Sequence, residues 1–205
     1  LLTTLIIMSV FFVACNEDAG FSSSPELRLE FSCDTVTFDT LFTDIASPAA
    51  MFVVHNRNGH SLRINDVRLA GGGESSFNVM VDGEPGATVR DIEIRAKDSL
   101  YLLASVTVDR NGGDVPLMVK DSLVFSLESG VQQHVALLAY GRDATFLRGE
   151  NITHDRVIAS GHYVVYDSLI VAPDATLTLE EGVTLYFHDK AYMKVEGTLV
   201  AQGSQ

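Results

Sequence analysis

The chain has 205 residues, of which 14 are lysine or arginine and 27 are aspartate or glutamate, so its formal net charge is −13. This excess of negative charge repels nucleic acid phosphates and excludes DNA or RNA binding as the main function. A hydrophobic content of 46% and a charged content of 20% are typical of a globular chain and not of a disordered one. The 2 cysteines are too few for a disulfide framework, and the length suits one or two domains.

The chain starts with an uncharged apolar segment, residues 1–14, whose sequence is LLTTLIIMSVFFVA. A helix needs about 20 apolar residues to span a bilayer, so this segment is too short for that role. It is typical of the apolar core of a secretory signal peptide whose basic part is missing. Because the chain begins at Leu1 without methionine and ends within a repeating pattern at Gln205, we expect it to be a piece of a longer protein at both ends.

Cys15 directly follows the small residue Ala14. Residues 12–15 (FVAC) resemble a bacterial lipobox, although Phe12 stands where leucine is usual. The alternatives are an ordinary signal peptide with an incidental cysteine, or a buried strand. The resemblance implies cleavage before Cys15 and acylation of this cysteine with chains such as palmitate. Two or three acyl chains would hold the protein stably in outer-membrane lipid, where a single chain would not.

Two acidic residues stand close behind the cysteine, in the segment Asn16, Glu17 and Asp18. This segment resembles the export signal that takes lipoproteins of the Bacteroidota phylum to the outer face of the outer membrane. The resemblance implies a lipid-anchored protein of the outer membrane that faces the cell surface. The small and polar residues up to residue 26 are typical of a short flexible tether.

From residue 27 to residue 145, apolar residues alternate with polar ones in short runs. Strict alternation is typical of half-buried strands. Clusters of glycine, asparagine and aspartate separate the runs and supply the positive φ angles that tight turns need. The pattern therefore predicts an antiparallel β-sandwich of about seven strands. The alternating apolar positions are Leu27, Leu29, Phe31, Val36, Phe38, Leu62, Ile64, Phe77, Val79, Val81, Ile92, Ile94, Leu102, Ala104, Val106, Val108, Leu123, Phe125, Leu127, Val135, Leu137 and Ala139.

Several short segments of this region share a characteristic spacing of apolar residues and glycines. These segments are residues 53–56, 62–64, 67–72, 77–79, 98–100 and 135–141. They resemble the Hydin-type (ASH) immunoglobulin-like domains. The resemblance implies an immunoglobulin-like fold, and it carries almost no information about function.

Residues 146–205 change this pattern, because short apolar segments follow one another in quick succession and several end in glycine. Residues 177–182 (LTLEEG) are echoed by residues 193–197 (MKVEG). Such a rhythm is typical of a parallel β-helix, and the tail resembles the opening coils of right-handed β-helix proteins. About two coils fit before Gln205, whereas solenoids need roughly three or more repeats to be stable, so we expect further coils to follow.

Taken together, these parts resemble Bacteroidota surface lipoproteins in which an immunoglobulin-like domain precedes a right-handed parallel β-helix. The predicted fold class is all-β. The predicted parts are a signal peptide (1–14), a lipidated cysteine and tether (15–26), a sandwich (27–145) and the start of a β-helix (146–205). The resemblance implies a location and a shape more than an activity.

Five aspartates are each followed by serine or threonine and then by an apolar residue. This pattern resembles the O-glycosylation acceptor motif of secreted Bacteroidota proteins. The alternative is structural, since Asp-Ser is also a common way for a chain to leave a turn and enter a strand. The candidate acceptors are Thr35, Thr40, Ser99, Ser122 and Ser168.

The histidines and the oxygen-rich turns do not have the spacing of a metal site. His55 and His60 flank a turn that we expect to form a hairpin, and His154 and His162 lie before the tail strands, but neither pair has a third ligand nearby. Residues 109–114 (DRNGGD) loosely resemble a calcium loop, with a plain hairpin turn as the alternative. We therefore expect no metal and no cofactor.

The sequence has no nucleophile elbow, no zinc-protease motif and no phosphate loop. Glu180 and Glu181 are adjacent, so in a strand they point to opposite faces and do not form an acid–base pair. Cys33 is expected in a strand beside Asp34, whose charge disfavours a reactive thiolate. We therefore predict a non-enzymatic protein and no catalytic residues.

The predicted function is that of a surface-exposed outer-membrane lipoprotein that serves as a structural, adhesion or binding module. Its ligand would be a partner protein or an envelope glycan. The alternative is the N-terminal accessory region of a β-helix glycan-active enzyme, of polysaccharide lyase or hydrolase type, whose catalytic coils lie outside this chain. Tyrosines could stack on sugars, although the chain has no tryptophan, which stacks most strongly. The candidates are Tyr101, Tyr163, Tyr166, Tyr186 and Tyr192.

Overall fold

The structure is a computed structural model that describes residues 20–113 and 115–203. These residues form β-strands and one short 3₁₀-helix, Gly72–Glu74, and they include no α-helix. No helix in the described ranges is long and apolar enough to cross a membrane. The all-β prediction is confirmed. The signal peptide, Cys15 and the export segment Asn16, Glu17 and Asp18 lie outside the described residues, so the lipoprotein prediction stays a prediction.

Residues 30–142 form two five-stranded sheets that pack face to face. The strands are β1 (Glu30–Phe31), β2 (Thr35–Phe42), β3 (Ala50–His55), β4 (Leu62–Leu69), β5 (Phe77–Val81), β6 (Glu84–Pro85), β7 (Thr88–Ile94), β8 (Ser99–Val106), β9 (Leu117–Leu127) and β10 (Gln132–Arg142). The first sheet has the order β1-β3-β8-β5-β6, and the second has the order β2-β10-β9-β4-β7. Two facing sheets of mostly antiparallel strands are the immunoglobulin-like sandwich architecture.

The alternating apolar side chains fill the space between the two sheets. Ile64, Val81, Leu102 and Phe125 are fully buried there, while their neighbours along each strand point outward. One pairing differs from the predicted antiparallel arrangement, because β2 runs parallel to β10. These two strands are far apart in sequence, so no hairpin forces them to be antiparallel.

The turn between His55 and His60 is not the hairpin that we predicted. It carries the chain from β3 in the first sheet to β4 in the second. Asn56 is fully buried in this crossing, and its side-chain amide donates hydrogen bonds to the carbonyl oxygens of His60, Ile94 and Arg95 at 2.8, 3.0 and 3.1 Å. The side-chain oxygen accepts from the backbone N–H of Asn58. The amide therefore satisfies the backbone groups that the crossing leaves unpaired.

Residues 145–201 form two further sheets, and the chain passes between them repeatedly. The strands are β11 (Thr145–Ile152), β12 (Arg156–Ile158), β13 (Gly161–Val171), β14 (Thr176–Leu179), β15 (Val183–Phe187), β16 (Tyr192–Val195) and β17 (Thr198–Ala201). One sheet has the order β11-β13-β15, with β16 also paired to β13, and the other has the order β12-β14-β17. Every one of these pairings is parallel.

The register shows that this region makes three successive turns. Phe146, Val164 and Tyr186 align across one sheet, and Ile158, Leu179 and Ala201 align across the other. This is one turn more than we expected. The additional turn is formed by β11 and β12. The alternation of β11 is broken beside Gly149, where its pairing with β13 shifts register. The predicted boundary between residues 145 and 146 falls at the first residue of β11 and stays a prediction.

Two smaller expectations about local structure are wrong. Cys33 is half-buried in the bend between β1 and β2 and packs against the sandwich core, so it does not lie in a strand. Glu180 and Glu181 follow the end of β14, where the chain turns. Strand alternation therefore does not decide which way the two carboxylates point.

Candidate binding groove at the junction of sandwich and parallel turns

The sandwich and the parallel turns contact each other through an aromatic and basic cluster. The rings of Phe42 and Tyr186 meet edge to face with their centroids 5.0 Å apart. His162 Nε2 lies 3.0 Å from a guanidinium nitrogen of Arg142, and its Nδ1 lies 3.3 Å from the hydroxyl oxygen of Tyr186. These contacts connect the ends of β2 and β10 to the second and third turns.

An apolar cavity of about 430 Å³ lies beside this cluster. Its sandwich wall is the end of β2 and the segment that follows it, and its other wall belongs to β13 and β15. The residues that line it are Thr40, Leu41, Phe42, Ile45, Ala46, Ser47, Pro48, Val164, Tyr166, Tyr186, Phe187 and His188. Cavities of this size at the boundary between two structural units are common ligand sites.

A stack of side chains borders this cavity at a corner of the parallel turns. Arg148 lies 4.2 Å from the centroid of the Tyr166 ring. The rings of Tyr166 and His188 are stacked, with centroids 4.5 Å apart and planes inclined by 28°. One residue comes from each of the three turns, so the stack connects the three turns through side-chain contacts.

A second, more polar cavity of about 370 Å³ shares the stacked rings of Tyr166 and His188 with the first. Asp167 and Asp189 line this cavity from adjacent turns. Both have positive φ angles, 61° for Asp167 and 51° for Asp189. The exposed ring of Tyr192 lies at its edge, on the strand that pairs with Ser168. His188 and Lys190 also line this cavity. We refer to the two cavities together as the junction groove.

Three of the five tyrosines that we singled out for stacking meet at this groove, namely Tyr166, Tyr186 and Tyr192. Tyr163 donates its hydroxyl hydrogen bond to the carbonyl of Ala159, and it does not line either cavity of the groove. Tyr101 lies on the outer side of the first sheet. Sequence alone did not group the tyrosines, because they belong to separate strands.

Two of the five candidate glycan acceptors also line the junction groove, Thr40 in its apolar cavity and Ser168 in its polar one. Thr35 and Ser122 lie on strands that flank Ala136 on the outer side of the second sheet. Ser99 lies at the start of β8, and its hydroxyl oxygen is 2.7 Å from His55 Nδ1.

The structural alternative for the Asp-Ser pattern, a turn that enters a strand, has direct support at Asp98, which directly precedes β8. The carboxylate of Asp98 accepts from the backbone N–H of Ser99 at 2.8 Å, and the carboxylate of Asp121 accepts from the backbone N–H of Ser122 at 2.7 Å. Asp121 also accepts from the hydroxyl of Ser75. Asp98 therefore shapes the entry into β8, whereas Asp121 lies within β9 and binds the segment around Ser75, whether or not the hydroxyls are modified.

The turn that loosely resembles a calcium loop, whose Asp114 lies outside the described residues, is held by hydrogen bonds to Asp143. It connects β8 in the first sheet to β9 in the second, so it is not a hairpin. The Asp143 carboxylate accepts from the backbone N–H groups of Gly112 and Asn111 at 2.7 and 3.3 Å. Partial desolvation by itself would raise the pKa of Asp143, but these hydrogen bonds and the charge of Arg110 lower it below its ordinary value. Residues 20–113 and 115–203 contain no group of His, Cys, Asp or Glu side chains suited to hold a metal ion.

No family model matches the chain, and no curated protein matches it. Among solved structures it is similar to a protein of unknown function from Porphyromonas gingivalis W83, with 19% identity over 60% of this chain and 59% of that chain and a TM-score of 0.41. It is also similar to an ASH/PapD-like domain of human CEP192, with 11% identity over 58% of this chain and 88% of that one and a TM-score of 0.36.

A third similar structure is the Salmonella enterica SafA pilin in complex with the SafB chaperone. The identity is 11%, the match covers 60% of this chain and 57% of that one, and the TM-score is 0.38. The chain thus spans about three-fifths of the length of the Porphyromonas protein. These similarities concern the fold, and they assign no activity to the junction groove.

Proposed function

We propose that this chain belongs to a non-enzymatic lipoprotein of the outer-membrane surface, whose junction groove binds a neutral glycan of the cell envelope. The observation that supports the ligand class is that an apolar, ring-lined cavity and a polar cavity share one stacked ring pair. Sugars present apolar C–H faces to aromatic rings and hydroxyl groups to carboxylates. Asp167 and Asp189 outnumber Lys190 in the polar cavity, which disfavours anionic sugars.

We further propose that residues 145–201 are the opening turns of a right-handed parallel β-helix. The support is the parallel pairing at every step and the recurrence of one register over three turns. The side chains of Leu147, Val165, Leu169 and Leu177 form a buried core inside these turns. Stacked turns that share one core are the way solenoids bury their apolar faces.

The anchor is tested by the intact mass of the protein extracted with detergent from the membranes of its source cells. We expect a chain that begins at Cys15 and carries the mass of two or three acyl groups. Additional increments of hexose size, lost in Thr40→Ala or Ser168→Ala, would identify glycosylated acceptors. A mature chain without acyl mass would contradict the lipoprotein proposal.

The groove is tested by binding of the detergent-purified full chain to immobilised neutral polysaccharide from source-cell envelopes. We expect Tyr192→Ala to weaken binding roughly tenfold, because an exposed ring loses its stacking contact. Phe21→Ala is the control, since the Phe21 ring is 43% exposed beside Arg63 of β4 and lines neither cavity. Equal binding by both variants, or preference for the acidic polysaccharide fraction, would contradict the proposal.

One observation favours the enzyme alternative. Asp167 and Asp189 line the same polar cavity from adjacent turns, and glycosidases act through a pair of carboxylates that flank the bound sugar. Incubation of the full chain with the bound polysaccharide should release no new reducing ends if the protein is a binding module. Release that disappears in Asp189→Asn would establish the enzyme instead.

A further inference from the structure

The outer side of the first sheet carries a contiguous apolar surface, which we name the methionine face. It comprises Met51, Val53, Met80, Pro85, Tyr101 and Leu103. The register places Met51, Leu103, Met80 and Pro85 in one row across four strands and sets Val53 beside Tyr101 in the next. Its exposure is high, because Met51 is 64% and Tyr101 is 59% exposed.

The part of the second sheet that β4 and β7 form has a different outer side. There the outward positions of β4 and β7 are charged and paired, with Arg63 2.9 Å from Glu93 and Arg68 3.4 Å from Asp66. The outer side of β4 and β7 therefore has no such apolar surface, whereas β9 and β10 expose Met118 and Tyr140 side by side. Contiguous exposed apolar surfaces of this kind mark sites where another protein binds.

The charges around the methionine face have an uneven distribution. Arg57 and Lys97 lie next to each other where β3 ends and β8 begins, and Lys97 donates a hydrogen bond to the carbonyl of Arg57. The hairpin that carries Asp82 and Glu84 lies at the same end of the sheet, on the side of β6. In the described part of the chain, Asp82 and Glu84 form no salt bridge, whereas Arg57 has only a distant one to Glu30 at 3.8 Å.

We propose that the methionine face is the interface of a homodimer, a role that goes beyond the glycan groove and does not depend on it. A two-fold axis parallel to the strands, passing near β8, stacks the two faces on each other. This operation keeps the ends of the strands together and exchanges the two edges of the sheet. It therefore brings Arg57, which follows β3, opposite the acidic hairpin of the other copy, while Lys97 stays near the axis at the start of β8.

The net charge of −13 repels two copies, but this repulsion acts mainly over distances that salt screens. Once the two copies are in contact, two effects favour association. The apolar methionine faces are buried, and the opposite charges at their edges are paired. Met and Tyr are among the residues that protein interfaces contain most often, and Lys and Glu are rarer in their centres.

The test is disulfide crosslinking of the full chain in the membranes of its source cells, in a Cys33→Ser background. Tyr101→Cys lies near the proposed axis and should yield a crosslinked species with the mass of two copies. Thr88→Cys on the outer side of the second sheet is the matched control. Adding Leu103→Glu to Tyr101→Cys should lower the dimer yield at least about tenfold, because it buries a charge in the interface.

The orientation is tested by charge reversal. Glu84→Lys alone and Arg57→Glu alone should each lower the yield from Tyr101→Cys, and the double variant should restore it. A Tyr101→Cys chain that forms no more homodimer than Thr88→Cys, or that crosslinks to a different protein, would overturn the proposal. A dimer yield that neither charge reversal changes would overturn the proposed two-fold axis.

Discussion

Replacing Gly197 with alanine is expected to open the last of the three parallel turns. Gly197 lies between β16 and β17, and a Cβ atom at this position would collide with the backbone oxygens of Ala172 and Ala175 in the turn below. Ala175 O also accepts the hydrogen bond from Thr198 N at 3.0 Å, so the oxygen does not move away without losing this bond. We expect the turn to be destabilised by about 3 kcal/mol or more.

The measurement is native-state hydrogen exchange of the backbone amides. In Gly197→Ala the amides of Thr198 and of β17 should lose protection, while those of the sandwich keep theirs, because the sandwich core does not contain this turn. Gly59→Ala is the control, since a Cβ at Gly59 meets no atom within 4 Å. Unchanged protection of β17 in Gly197→Ala would show that the turns stack differently.

Replacing Asn56 with aspartate is expected to destabilise the sandwich by roughly 3 to 5 kcal/mol. The substitution keeps the size of the side chain but replaces its N–H donors by a second oxygen. A buried carboxylate would then face the carbonyl oxygens of His60, Ile94 and Arg95, all of which now accept from the Asn56 amide. The crossing between the two sheets would lose its hydrogen bonds and gain an unpaired charge.

The free energy of unfolding in urea measures this effect. Asn65→Asp makes the same chemical change at an exposed position of β4 and should cost less than about 0.5 kcal/mol. The loss in Asn56→Asp should shrink as the pH falls, because the introduced carboxyl becomes protonated and neutral. Equal stability of the two variants at neutral pH would show that the amide hydrogen bonds contribute little.

The sandwich strands were predictable because their side chains alternate between core and solvent. Val81, Leu102 and Phe125 stand at the inward positions of such runs, and all three are buried. The first parallel turn was missed because the register of β11 shifts beside Gly149, which interrupts the alternation within a single strand. A period of two is recognisable only when several consecutive residues follow it.

The role of Asn56 was not predictable from its neighbourhood. A turn that contains two asparagines and a glycine favours a hairpin between neighbouring strands. In the structure the same residues connect two different sheets, and the partners of the amide on Ile94 and Arg95 are distant in sequence. Nothing in a local pattern indicates a polar side chain whose partners come from another strand.

The sequence alone determined that this protein is built from short half-buried strands, that it is strongly acidic and that it has no common catalytic motif. The tertiary structure decided which sheet each strand joins, that β2 runs parallel to β10, and that the tail forms three parallel turns. It also decided that Phe42 meets Tyr186 at a groove and that Met51, Met80 and Tyr101 share one exposed face. The physical reason is that alternation records which side of a strand is buried, whereas the choice of neighbouring strand depends on contacts between residues far apart in the chain.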